Sequence, residues 1–123
     1  MKIHESAEDY LEQILMLKDQ KGSVRSIDIA VAMGFSKPSV SIAMKNLREN
    51  GYISVDADGL ITLEEPGLKI ARRIYDRHRK LTAFFVALGV DPDVAAHDAC
   101  KIEHDLSDET YSKMIAYAEQ HKQ

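Results

Sequence analysis

Three residues at fixed intervals, followed at once by a hairpin, most constrain what this chain can fold into. Ala30 falls where one helix must approach the next closely, so a small side chain is needed there. Gly34 follows four residues on and can take the positive φ that reverses the chain between helices. Val40, six residues further, supplies the inward apolar anchor of the next helix. Ser36 is placed to cap that helix, and Pro38 stands in its first turn, where a missing N–H costs nothing. Val40, Ala43, Met44 and Leu47 form its inward stripe, which stops at Asn50-Gly51. Next come YISV, DADG and LITL, and alternation around an Asp-Gly signals a hairpin. Helix, tight turn, capped helix and hairpin together predict a winged helix-turn-helix.

The rest of the chain reads as helix. Tyr10, Leu11, Ile14, Leu15 and Leu17 recur at helical spacing over residues 5–20, stopping near Gly22. Ser26 precedes Ile27, Ile29, Ala30 and Met33 in a short second helix. A long helix runs from Pro66 to about Leu88 and ends at Gly89. Two shorter helices are predicted at 92–105 and 107–121, the second capped by Ser107 with Asp108 and Glu109 at the favourable end of its dipole. The expected architecture is mainly α: a winged helix-turn-helix domain over 1–65, then a helical dimerisation domain over 66–123. Its second part carries Leu81, Phe84, Phe85, Leu88, Val94, Ile102, Leu106, Tyr111, Met114 and Ile115. These exceed what one face of a three-helix segment can hide, which predicts a homodimer.

A net charge of −4 and a pI near 5.7 exclude a protein that coats nucleic acid by bulk charge. The charge is segregated instead. From Ser36 to Arg48 there are Lys37, Lys45 and Arg48 and no acid; from Lys69 to Lys80 six further cations (Lys69, Arg72, Arg73, Arg77, Arg79, Lys80) face only Asp76. Ser36, Lys37, Pro38, Ser39, Ser41 and Lys45 lie at the front or off the inward stripe of the third helix, with Ile42 beside them. Hydroxyls and ammoniums there suit phosphate clamping and base-edge contacts in a major groove. A merely solvated helix face would explain the lysines, but less readily the acid-free stretch.

A second set of residues has metal-ligand chemistry. Cys100, Glu103 and His104 stand at i, i+3 and i+4, one face of a continuous helix. Asp9 and Glu12 share a face of the first helix, and His78 lies on the long one. Groups on three helices could close round one ion. A lone cysteine more often packs as a small hydrophobe, so the triplet alone would not carry this reading. No histidine has a glutamate three residues before it, which excludes a di-iron bundle, and HExxH is absent. One cysteine excludes an internal disulfide, the start lacks an apolar signal core, and no run approaches the ~20 apolar residues of a membrane span. The expected location is the cytoplasm, with no membrane partner.

EDYLEQI near the start, S-x-x-SV over 36–40, RHRKL around His78 and DACKIEHDLS around Cys100 resemble the diphtheria-toxin-repressor family of metal-dependent repressors. The likeness spans essentially the whole chain. Its length looks like the manganese-transport-regulator branch, which lacks the SH3-like third domain of iron-type members. The resemblance implies that Asp9, Glu12, His78, Glu103 and His104 occupy ligand positions of the manganese branch. Cys100 falls where that branch has glutamate and iron-type relatives have cysteine, whereas Asp9 replaces the iron type's methionine. The chain also departs from the iron type's second site: Thr82 stands in place of a carboxylate and Ala96 in place of a histidine, with His97 one position off.

Carboxylate and imidazole ligands suit Mn²⁺ or Fe²⁺, while a thiolate pulls toward softer ions. The expected cofactor is Mn²⁺ or Fe²⁺, with Zn²⁺ or Co²⁺ binding in vitro. The expected function is a metal-gated transcriptional repressor of metal-homeostasis genes, not an enzyme. Two-fold symmetry then requires a palindromic operator in double-stranded DNA. The rival within the class is a metal-independent winged-helix regulator sensing an organic ligand or redox state. A small metalloenzyme or metal buffer is the rival outside it, and nothing here marks a base, an oxyanion hole or a phosphate loop.

Overall fold

The computed structural model describes residues 5–121. Its elements are α1 (Glu5–Lys21), α2 (Ser26–Met33), α3 (Lys37–Glu49), β1 (Ile53–Val55), β2 (Ile61–Leu63), α4 (Glu65–Ala87), α5 (Pro92–Ile102) and α6 (Asp108–Gln120). They group into two compact units divided within α4, between Arg73 and Ile74.

The first unit is a winged helix-turn-helix. Gly34 takes φ 71° at the end of α2, and the amides of Gly34 and Phe35 both return to the Ala30 carbonyl. That left-handed residue closes the helix and reverses the chain, which a Cβ would resist. Ser36 then caps α3, its hydroxyl accepting from the Ser39 amide. The inward stripe Val40, Met44 and Leu47 is buried with Leu11, Ile14 and Ile29 in one core. The wing pairs Ile53 with Leu63 and Val55 with Ile61, antiparallel. At its tip the Asp56 carboxylate accepts from the amides of Asp58 and Leu60, and Gly59 takes φ 82°. Next to that turn, the Ile61 amide donates to the Val24 carbonyl at 2.8 Å and ties the wing back.

Gly67 shows how closely α4 docks on this unit. A Cβ built there would stand 2.2 Å from the Tyr52 carbonyl oxygen, the same oxygen that accepts from the Glu64 amide. In an open helix glycine-to-alanine is stabilising. Here the neighbour is backbone and cannot swing aside, so Gly67→Ala is expected to cost about 1–3 kcal/mol, as overpacking does. Thermal melting checks this; an unchanged or raised midpoint would contradict the close approach.

The second unit holds the later part of α4 with α5 and α6. Asp91 caps α5, accepting from the Asp93 and Val94 amides, and Ser107 caps α6, accepting from Thr110. One boundary differs from expectation. Predicted to run to 105, α5 ends at Ile102, and residues 103–106 form a turn. The Asp105 and Leu106 amides both return to the Ile102 carbonyl, tightening the chain before the extended backbone that the Ser107 cap needs. This unit buries little within one chain. No residue of α6 is buried, Leu88 is 67% exposed, and Phe84 and Ile115 line an open apolar groove of about 570 Å³. Unfinished burial of this kind is what a dimerisation surface leaves on a single subunit.

Candidate nucleic-acid interface and metal centre

Every residue assigned to DNA by sequence is exposed: Ser36, Lys37, Pro38, Ser39, Ser41 and Lys45. Ser36 and Ser39 also bond hydroxyl to hydroxyl at 2.8 Å, so the first turn of α3 presents a fixed pair. The positive end of the helix dipole points the same way, and α3 has no acid in its first turn. Ile42, 63% exposed, adds a bare apolar side chain to the helix's outward side.

The second basic stretch, on α4, is not a continuous cationic face. Arg73 pairs with Glu8 at 3.1 Å, and Arg79 and Lys80 both pair with Asp76. Asp76 also holds the Lys80 ammonium above the usual lysine range. Arg77, in the middle of this stretch, is 4% exposed. Its guanidinium donates to the carbonyls of Glu103 and Leu106, pairs with Asp108 and lies over the Tyr111 ring, 4.6 Å from its centroid. Burial pushes the Tyr111 phenol up, so that ring stays neutral under the cation. Nothing in the RHRKL motif distinguishes this arginine from its exposed neighbours.

Within the second unit, four of the predicted ligands come together, His78, Cys100 and His104 around Glu103. Glu103 is fully buried at the C-cap of α5. Its Oε2 lies 2.9 Å from His78 Nδ1, and its Oε1 lies 3.5 Å from His104 Nε2. His104 does not continue the helix, as expected from spacing; it stands in the turn after α5, with its side chain 2% exposed. Cys100 is exposed on the last turn of α5 and precedes Glu103 by three residues, which sets it on the same side. In the first unit, Asp9 and Glu12 lie one turn apart on α1, Asp9 half-buried and Glu12 buried. Thr82, at the position of a second-site carboxylate, spends its hydroxyl on the His78 carbonyl at 2.7 Å. His97 is exposed.

The chemistry of this group fits a divalent transition metal. Glu103 Oε1 makes no hydrogen bond among the described residues, yet it is shut off from solvent. A buried carboxylate oxygen in that condition is costly unless a cation meets it. Imidazole nitrogens face both of its oxygens, and nitrogen with carboxylate oxygen is a donor set for first-row divalent ions.

Comparison with known proteins covers both units. Residues 2–59 match the family model "Iron dependent repressor, N-terminal DNA binding domain". Residues 64–123 match "Iron dependent repressor, metal binding and dimerisation domain". The transcriptional regulator MntR of Salmonella typhimurium is 34% identical over 117 residues, which is 95% of this chain and 74% of that protein. The HTH-type transcriptional regulator MJ0568 of Methanocaldococcus jannaschii is 34% identical over 96% of both chains. Among solved structures, the manganese regulator SloR matches with a TM-score of 0.80 at 26% identity, over 99% of this chain and 56% of its own. A manganese-dependent transcriptional repressor in complex with manganese gives a TM-score of 0.82 at 29% identity, over 90% of this chain and 51% of its own. This chain therefore spans about half the length of those solved structures. No helix among the described residues is long and apolar enough to cross a membrane. The two family matches and the relatives agree along almost the whole sequence, and the chain belongs to the iron-dependent repressor family of metal-dependent, DNA-binding transcriptional regulators.

Proposed function

We propose that this chain is a cytoplasmic repressor of metal-homeostasis genes, gated by Mn²⁺ or Fe²⁺, in which Asp9, Glu12, His78, Cys100, Glu103 and His104 are the metal ligands. The observation that carries this reading is the Glu103 carboxylate, fully buried, faced by two imidazoles and left with one oxygen unsatisfied. A bound divalent ion supplies the positive charge that offsets repulsion among the carboxylates. Asp9 and Glu12 lie on α1, whose Leu11 and Ile14 belong to the core of the winged unit, so holding them would act on that unit. In a dimer this sets the spacing of the two α3 helices, which must match a palindromic operator. The ion shifts a population, and its effect is bounded by its differential affinity for the two states. The role is regulatory rather than enzymatic: its residues bind an ion and a duplex and transform neither.

The test is operator affinity titrated anaerobically against Mn²⁺, Fe²⁺, Zn²⁺ and Co²⁺ at constant salt. Mn²⁺ or Fe²⁺ is expected to tighten binding by roughly 5- to 150-fold, the usual range of coupling between two sites. Equal affinity with and without every ion would favour a metal-independent regulator instead.

On the DNA side, Ser36, Lys37, Pro38, Ser39, Ser41 and Lys45 are the proposed contact residues. Their exposure on a capped, acid-free helix end supports this. Lys37→Ala and Lys45→Ala are expected to weaken binding about equally on all duplexes and to lower the salt slope by about one unit each. Metal affinity should not change in either. If both variants keep the parent affinity and slope, α3 is not the recognition helix.

A further inference from the structure

Resting on the metal-binding reading above, we infer that Arg77 is a positioning residue: it sets the turn 103–106 so that Glu103 and His104 present their side chains for the ion.

The end of α5 poses a backbone problem. The last turn is closed by backbone, with the Glu103 amide returning to Ala99 and the Asp105 and Leu106 amides to Ile102, but the carbonyls of Glu103 and Leu106 lie beyond the helix and have no helical partner. Arg77 supplies the missing donors. One nitrogen, Nη1, donates to the carbonyls of Glu103 at 3.3 Å and Leu106 at 2.9 Å, the first and last residues of the turn. Nη2 pairs with Asp108 in the first turn of α6, and the guanidinium plane lies on Tyr111. A single planar cation therefore joins the end of one helix, the turn and the start of the next. A lysine has no such fork.

The neighbour of Arg77 gives this clasp its consequence. His78 meets the Glu103 carboxylate at 2.9 Å while Arg77 meets the Glu103 carbonyl, so adjacent residues of α4 hold Glu103 at both ends. With its backbone pinned, Glu103 keeps its carboxylate toward His78, and His104, next in the chain, keeps its imidazole inward. Freed from Arg77, the turn gains alternative backbone states. The ligands must then be ordered at the moment of binding, which lowers affinity without removing any ligand. Asp108 contributes little by itself, because its side chain is 89% exposed and its ion pair is screened. The two carbonyl contacts, one buried and one part-buried, are what matter.

The test uses the full-length chain with Mn²⁺ alone as probe, read by electron paramagnetic resonance without DNA and well below the melting temperature. Arg77→Met is expected to lower Mn²⁺ affinity roughly 10- to 100-fold, the range for residues that orient metal ligands. Arg77→Lys should recover part of that loss, and it serves where the methionine variant fails to fold. Amide exchange of residues 104–107 in the metal-free protein should accelerate in both variants. Ile74→Val, a core change in the same unit, is the control: it should lower the melting temperature yet leave Mn²⁺ affinity unchanged. The inference is overturned if Arg77→Met and Arg77→Lys bind Mn²⁺ like the parent, or lose no more than Ile74→Val does. His104→Ala separates this from failure of the metal reading itself. If that variant also binds Mn²⁺ like the parent, the ligand assignment has failed, and the role of Arg77 falls with it.

Discussion

Glu103→Gln and His104→Ala are each expected to abolish metal-induced operator binding while the protein stays folded and dimeric. Glutamine has the shape of glutamate, so the fully buried site at the end of α5 keeps its packing. What it loses is the negative charge and one strong donor oxygen. In the parent that charge sits shut away from water with Oε1 unsatisfied, so its removal spares the metal-free fold a desolvation cost. His104 contributes an imidazole rather than a core anchor, and truncating it leaves the turn's backbone contacts to Arg77 in place. Loss of one ligand should weaken metal binding by at least about 100-fold, or ~2.7 kcal/mol. The measurements are metal titration calorimetry, operator binding with and without Mn²⁺, and sedimentation for the dimer. A full metal response in both variants would sink the assignment of these ligands.

The contrast between Gly34 and Glu103 shows how far sequence could carry the structure. The winged unit was legible because its signals are local: a glycine at the reversal, a serine cap, a stripe at helical spacing, an Asp-Gly turn. Each is honoured, with Gly34 left-handed, Ser36 capping and Val40 buried. The end of α5 was not legible, because no local breaker marks it. The chain leaves the helix where the Glu103 carbonyl is taken by an arginine 26 residues earlier, and periodicity holds no trace of a contact that remote. The same blindness affected charge. Counting charges from Lys69 to Lys80 set six cations against Asp76 alone, but Arg73, Arg77, Arg79 and Lys80 all have carboxylate partners. Which partner neutralises a cation is decided by packing. For the candidate site, residue types and spacing named His78, Glu103 and His104 correctly as neighbours; the i, i+3, i+4 helical face did not survive, because His104 reaches inward from a turn.

Cys100 is where hard-ligand chemistry and sulfur disagree, and replacing it should change which ion the protein prefers. The alternative to ligation was a cysteine packed as a small hydrophobe. Cys100 is exposed on the last turn of α5, on the side of Glu103, which supports ligation over packing. As a ligand its sulfur binds as thiolate, so the Co²⁺ complex should show sulfur-to-metal charge-transfer absorption in the near ultraviolet. Cys100→Ser keeps the size but offers a poor donor, and it should bind every ion more weakly, by roughly tenfold or more, or ~1.4 kcal/mol. Cys100→Glu restores a carboxylate and should move selectivity toward Mn²⁺ and away from Co²⁺ and Zn²⁺, since hard oxygen donors favour the harder ion. Selectivity is a ratio, so it must be measured as competing affinities under anaerobic conditions, where the thiol cannot oxidise. The overturning result is specific: a Co²⁺ spectrum without a sulfur band, together with a serine variant that responds to all four ions like the parent. Either half alone is insufficient, because a weak band can hide under protein absorption and a serine can be spared by a water ligand; the two together would leave the ion to the carboxylates and to His78 and His104.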